Sequence, residues 1–237
     1  VVVTRGGQQH QLVFANGGEV LEPLKVIGTA PARKTGTVVR VWPDAKYFDS
    51  PNLPIVDLQR LLRSKAVLLP GVSITLTNEK NGQTQHWQYT DGLRGYLEEE
   101  LAGEDLLIPM FEGKQFAAKN DEDFAEGEGC EWLVAWTLEG AIARESYVNL
   151  IPTLNGGTHE AGLREGLFNA LKGFIDIHNL LPKGVRLLAE DLFARASFVL
   201  SVRMLDPQFQ GQTKVRLNSR DAVRLVSNYV KSSFELW

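Results

Sequence analysis

Asp206-Pro-Gln-Phe-Gln-Gly-Gln-Thr-Lys-Val-Arg-Leu217 lies between a run patterned as a buried strand, Ser197–Met204, and a helical run, Ser219–Trp237. Gly211 frees the backbone for a tight turn, and Pro207 has no N–H to give a ladder, so neither suits the interior of a regular element. The segment therefore reads as a turn held by a strand and a helix, with Gln212 and Lys214 as its polar tips. An ammonium point charge beside a carboxamide on such a turn is chemically suited to grip a terminal phosphate. On spacing alone a solvated loop is the simpler account of a Gln-x-Lys triplet, because short motifs need context.

The context starts with size and charge. At 237 residues the chain has room for one large or two modest domains. Its 43% hydrophobic and 23% charged content is that of an ordinary globular protein. No apolar run reaches the roughly 18 residues of a membrane helix, and no leader pattern opens the chain, so no membrane role is expected. The lone Cys130 excludes an internal disulfide and fits a reducing compartment, with the cytoplasm as the expected location. A net charge of −4 argues against an open basic surface for nucleic acid. Val1-Val-Val-Thr-Arg5 starts as a strand already under way and Trp237 ends a helix without Gly or Pro after it, so a piece of a longer polypeptide is expected.

Val1–Thr4 and Gln11–Ala15 read as a hairpin across Gly6-Gly7, and Asn16-Gly17-Gly18 signals the next reversal. A short strand follows at Leu24–Ile27, and Lys34-Thr-Gly-Thr37 leads into another at Val38–Trp42. Pro54 opens a helix carrying Ile55, Leu58, Leu61, Leu62 and Val67, which Pro70-Gly71 stops. Val72–Thr77 and Gln85–Tyr89 alternate at period two across Glu79-Lys-Asn-Gly82, a second hairpin. A domain boundary is expected after residue 90, where Asp91 is placed to cap a helix bearing Leu93, Tyr96, Leu97 and Leu101.

Strands are expected at Met110–Ala118 and Cys130–Leu138, with Asn120–Glu128 between them holding five acids but no calcium-ligand spacing, as in a solvated loop. In Ser146-Tyr-Val-Asn-Leu-Ile-Pro-Thr-Leu-Asn-Gly-Gly-Thr-His159 the glycine pair permits a tight turn, and Thr158 is placed to cap a helix with Leu163, Leu167, Leu171 and Phe174 on one face. His159 reads as a base or ligand or, more simply, as a structural histidine, since no second ligand is spaced with it. His178 falls at the helix end, near the negative pole of its dipole. A short helix at Ala189–Arg195 precedes the Ser197–Met204 strand, so strand, helix and strand form a crossover whose hand the residues leave open. The last helix gathers Val223, Val226, Val230, Phe234 and Trp237 on one arc. Beside that arc Arg220, Arg224 and Lys231 form a basic stripe, either a solvated face or a contact for DNA phosphate.

Taken together these motifs resemble the B subunits of type IIA DNA topoisomerases. The resemblance rests on Asp206-Pro-Gln-Phe-x-Gly-Gln-Thr-Lys214, on Thr35-Gly-Thr37-x-Val39 before Trp42-Pro43, on Asn149-Leu-Ile-Pro-Thr153 before Gly156-Gly-Thr-His159, and on Leu180-Leu-Pro-Lys-Gly184. Asn149-Leu-Ile-Pro is more similar to the B subunit of topoisomerase IV (ParE) than to that of gyrase. The implied fold class is α+β: residues 1–90 as the C-terminal part of a GHKL ATPase sandwich, then 91–237 as an α/β transducer domain with a left-handed βαβ crossover.

By the same resemblance Gln212 and Lys214 reach the γ-phosphate of ATP, Lys214 having the catalytic role. Thr37 and Val39 belong to the adenine pocket wall, and Arg5 to its rim. The parent protein would use ATP and Mg2+ to drive one DNA duplex through another. It would do so with the A subunit of topoisomerase IV (ParC) in an A2B2 heterotetramer. The family's glutamate base, magnesium-binding asparagine and glycine-rich lid have no counterpart in these residues, so the chain alone is expected to bind no cofactor, hold no metal and hydrolyse no ATP. The alternatives are a non-catalytic interaction module and a piece of the gyrase B subunit.

Overall fold

The computed structural model describes Val1–Trp237, which form two compact units, Val1–Leu58 and Gln59–Trp237. Most of the first long helix and the hairpin after it group with the second unit. This spatial division therefore differs from the boundary expected after residue 90.

The first unit is an antiparallel sheet of β1 (Val2–Arg5), β2 (Gln8–Ala15), β3 (Glu19–Thr29) and β4 (Gly36–Val38), in the order β3-β2-β1-β4. Arg5 pairs with Gln8, so Gly6-Gly7 is a two-residue turn, and both glycines take the positive φ that such turns demand (59° and 78°). β3 is longer than the Leu24–Ile27 expected. One of its three register shifts falls at Pro23-Leu24, where the irregularity spares the ladder a residue without an N–H. The strand expected at Val38–Trp42 ends instead at Val38. Val38 already faces Val2 at the start of β1, so positions past Val39 have no partner there.

The second unit is built on a five-stranded sheet of β7 (Phe111–Phe116), β8 (Gly129–Trp136), β9 (Arg144–Val148), β10 (Ile151–Pro152) and β11 (Ala196–Arg203), in the order β10-β9-β11-β8-β7. β11 runs parallel to β9 and antiparallel to β8. One face of the sheet is covered by α3 (Thr158–His178) and α5 (Asp221–Leu236), the other by α2 (Leu93–Glu100) and the end of α1 (Ile55–Leu68). Alternate residues of β8 serve the two cores: Trp132 and Val134 pack with Leu163, Leu167 and Val226, while Leu133 and Ala135 pack with Val67 and Leu97. Burial on both faces explains why this stretch reads as nearly continuous apolar sequence. A separate hairpin, β5 (Ile74–Asn78) with β6 (Gln83–Trp87), and the short α4 (Ala189–Phe193) complete the unit.

Two expected helix caps are not made. Gly92, at φ 55°, takes the N-cap position expected of Asp91, and no side chain caps α2. Gly157 caps α3 without a side-chain bond, leaving the Thr158 hydroxyl buried and unpartnered. α3 and α5 approach closely because Gly162 and Gly166 have no side chain: a Cβ there would lie 2.7 Å from Val223 O and 2.8 Å from Ser227 O.

Candidate functional site

The Asp206–Leu217 segment is a small hairpin between β11 and α5. Gln210 N–H donates to Arg216 O at 2.9 Å, and Asn218 N–H to Gln208 O at 2.8 Å. Phe209 forms an antiparallel bridge with Leu217, and the Ser219 hydroxyl accepts the Gln208 N–H at 2.7 Å. The tip, Gly211–Lys214, is exposed and carries both residues singled out from sequence. Gly211 and Lys214 take positive φ (77° and 55°), a conformation a lysine adopts only when the surrounding turn holds it. The Lys214 amine lies 5.7 Å from the centroid of the Phe209 ring. None of the salt bridges engages it. A positive charge is thus presented at a tight bend without a carboxylate to neutralise it.

The trailing limb of the hairpin is bonded on its other edge to the turn that starts α3. Asn155 N–H donates to Val215 O at 2.8 Å, Leu217 N–H to Gly156 O and Thr158 N–H to Leu217 O, both at 3.1 Å. Arg216 Nη1 adds a bond to Asn155 O at 2.9 Å. The hairpin and the Gly156-Gly157 turn therefore make a three-ply ribbon. Gly157 sits at φ 145°, and a Cβ on it would lie 2.3 Å from Leu217 O.

Behind the turn, the Ser146 hydroxyl of β9 donates to Glu160 Oε1 at 2.5 Å and lies 2.7 Å from Thr153 Oγ1, which is 3.0 Å from His159 Nε2. His159 is fully buried, and burial lowers its pKa to about 4. It is a neutral, hydrogen-bonded core histidine rather than a base or a ligand. Sequence reasoning found the glycine pair but missed Ser146, Thr153 and Glu160. The fold-back of β10 onto β9 brings them together: Thr153 N–H donates to Ser146 O at 2.9 Å, and the turn then leads straight into α3 and Glu160.

In the first unit, Val3 faces Thr37 across β1 and β4, so Arg5, two residues on from Val3, shares a sheet face with Thr37. All three candidates there, Arg5, Thr37 and Val39, are exposed. A groove of about 790 Å³ lies along Val2, Gln11, Phe14, Val39, Trp42 and Tyr47. Of the three candidates it takes only Val39; Arg5 and Thr37 are not among its lining residues.

Two of the three residues of the basic stripe have local partners. Arg224 of the basic stripe pairs with Asp123 of the acidic loop at 3.3 Å, and Lys231 with Glu235 at 3.7 Å. A cavity of about 210 Å³ is lined by Arg60, Arg63, Tyr96, Glu145 and Tyr147, among others. Glu145 accepts hydrogen bonds from the Tyr96 and Tyr147 hydroxyls there, and burial together with that carboxylate pushes both phenols well up. No group of three or more His, Cys, Asp or Glu is placed to hold a metal ion. No helix is long and apolar enough to cross a membrane.

A mixed sheet with a parallel crossover, followed by a lysine-tipped hairpin leading into a long helix, is the arrangement expected of the second domain of the type IIA topoisomerase B subunits. A sequence model of the family described as DNA gyrase B matches residues 92–237, and the chain belongs to that family. The B subunit of DNA topoisomerase 4 from Salmonella typhimurium is 47% identical over 238 residues, covering all of this chain and 36% of that protein. Its namesake from Escherichia coli K12 is 47% identical over 239 residues, with the same shares covered. The solved topoisomerase IV ATP binding domain of Francisella tularensis, in complex with a small-molecule inhibitor, superposes with a TM-score of 0.75 at 32% identity, covering all of this chain and 62% of that one. The chain thus spans about a third of the length of the curated relatives it matches. The expected α+β class holds, as does the resemblance to type IIA B subunits of the topoisomerase IV kind.

Proposed function

We propose that the chain is the part of a topoisomerase IV B subunit that senses whether a bound nucleotide still has its γ-phosphate, with Lys214 and Gln212 as the sensing groups. The observation that carries this reading is the Lys214 amine, exposed on a tight bend and free of any carboxylate. Membership of the gyrase B family and likeness to a domain described as ATP-binding support it. ATP is the substrate. Lys214 would supply a fixed positive charge where negative charge gathers as the phosphoryl group leaves, and Gln212 a hydrogen-bond donor beside it.

Because the contact exists only while the γ-phosphate is attached, hydrolysis removes a differential interaction and releases the hairpin, which is what a transducer requires. In this reading residues 1–90 complete an ATPase domain, with Arg5, Thr37 and Val39 on its nucleotide side, and 91–237 form the transducer. The family match beginning at residue 92 supports that boundary. The general base and the ligands for Mg2+ would be held elsewhere in the parent protein, so this chain alone hydrolyses no ATP. The parent would act in the cytoplasm on DNA, together with the A subunit (ParC), in duplex passage.

The test is Lys214→Ala in the full-length protein in complex with its partner. ATP turnover is expected to fall on the order of 10²–10³-fold, the scale for removing one preorganised donor from developing negative charge. Near-normal turnover would refute the assignment.

A further inference from the structure

A hairpin closed only on itself would carry Lys214 on an arm free to swing about its two stems. This one is not free, because its trailing limb is a ply of a ribbon whose third member, Asn155–Thr158, belongs to the start of α3. We propose that Gly157 and Glu160 are positioning residues for Lys214, fixing the height and direction of its bend relative to the central sheet. The proposal rests on the phosphate-sensing reading above and deepens it.

Two features make the ribbon possible, and each depends on a particular side chain. Gly157 must have none: at φ 145°, a Cβ would stand 2.3 Å from Leu217 O and 2.6 Å from Leu217 N, so any other residue pushes the trailing limb away. Glu160 folds back over Gly156, its Oε2 filling the place where a Cβ on Gly156 would stand, 2.4 Å from that point. Its Oε1 takes the Ser146 hydroxyl at 2.5 Å, and Ser146 is the first buried residue of β9. The path from sheet to bend is thus Ser146, Glu160, Gly156-Gly157, Val215–Leu217, Lys214, and every link is a direct contact or adjacent backbone.

The far stem is fixed as well, since α5 is held against α3 at Gly162 and Gly166. A charge delivered to a phosphate needs such a mounting. Misplacing a catalytic group by roughly 1 Å costs on the order of 10²-fold in rate even when the group itself is untouched.

The experiment uses the full-length protein in its complex and measures ATP turnover, ADP affinity and the melting temperature for Gly157→Ala, Lys214→Ala and the double variant. ADP lacks the γ-phosphate, so its binding does not report on Lys214. Gly157→Ala is expected to lower turnover on the order of 10²-fold with ADP affinity within about twofold, and the double variant to be no slower than Lys214→Ala alone. Glu160→Ala is expected to lose about tenfold in turnover, and Glu160→Gln, which keeps an acceptor for Ser146, to regain most of it. Should Gly157→Ala fail to fold, the Glu160 pair carries the same test.

If Lys214→Ala is slow while folded Gly157→Ala and Glu160→Ala turn over normally, the positioning role is wrong. So it is if the Gly157 and Lys214 effects multiply in the double variant. Normal turnover by Lys214→Ala would instead overturn the phosphate-sensing reading itself.

Discussion

β3 and β8 are both rich in apolar residues, yet they fare differently. Val20, Leu21, Leu24, Val26 and Ile27 of β3 are 45–67% exposed, whereas Trp132, Leu133, Val134 and Ala135 of β8 are at most 1% exposed. Apolar content is therefore not what separates them. β8 lies inside a sheet with helices on both faces, and β3 is the outer strand of a four-stranded sheet whose residues join neither core cluster. Burial belongs to the topology, and the second unit's capacity to hold a loop rigidly follows from it.

Substitution tests this contrast most strongly at its extremes. Leu200→Ala, at a fully buried position of β11, is expected to cost about 2–5 kcal/mol, through lost transfer energy and the cavity left behind. Leu24→Ala, at a position 67% exposed, is expected to change stability by less than about 0.5 kcal/mol. Denaturant unfolding of the two variants checks both, and equal effects would break the comparison.

The next effect is one of pH. With its pKa lowered to about 4, His159 is neutral in the folded unit, while an unfolded chain takes up a proton below about 6.5. The unfolded state then binds more protons, so stability falls as pH drops from about 6.5 to 4, by up to about 3 kcal/mol, and is fully restored above that window. His159→Gln should flatten the profile in that window; an unchanged slope would contradict the assignment. Smaller still is Gly162→Ala, which forces α3 away from Val223 O and is expected to cost about 1–3 kcal/mol in the melting of the second unit.

Legibility followed the same division. Most strands and helices of the second unit were readable to within a few residues, because period-two and helical spacing both survive where a core demands them; β9 was not read as a strand. The Gly6-Gly7 turn and the Glu79–Gly82 hairpin loop were readable because glycine is the residue that positive φ favours. The tight turn Asn149-Leu150 was not: Leu150 takes φ 67° although nothing in a leucine announces it, and β10 exists only because that turn folds it onto β9. The caps failed for a related reason. Asp91 and Thr158 are good capping residues by type, but in both cases a neighbouring glycine took the position.

Of the candidate site, Gln212 and Lys214 were visible as residues on a turn. Their mounting was not, since Gly157 meets Leu217 across sixty residues of chain, and only the folded crossover shows that contact.

Amide hydrogen exchange of residues 211–217 in the full-length protein tests the central claim most directly, with a non-hydrolysable ATP analogue and with ADP at saturation. Exchange at the bend should slow with the analogue and return to the nucleotide-free rate with ADP, because only the analogue offers Lys214 a γ-phosphate. Identical exchange in the two complexes would contradict the account.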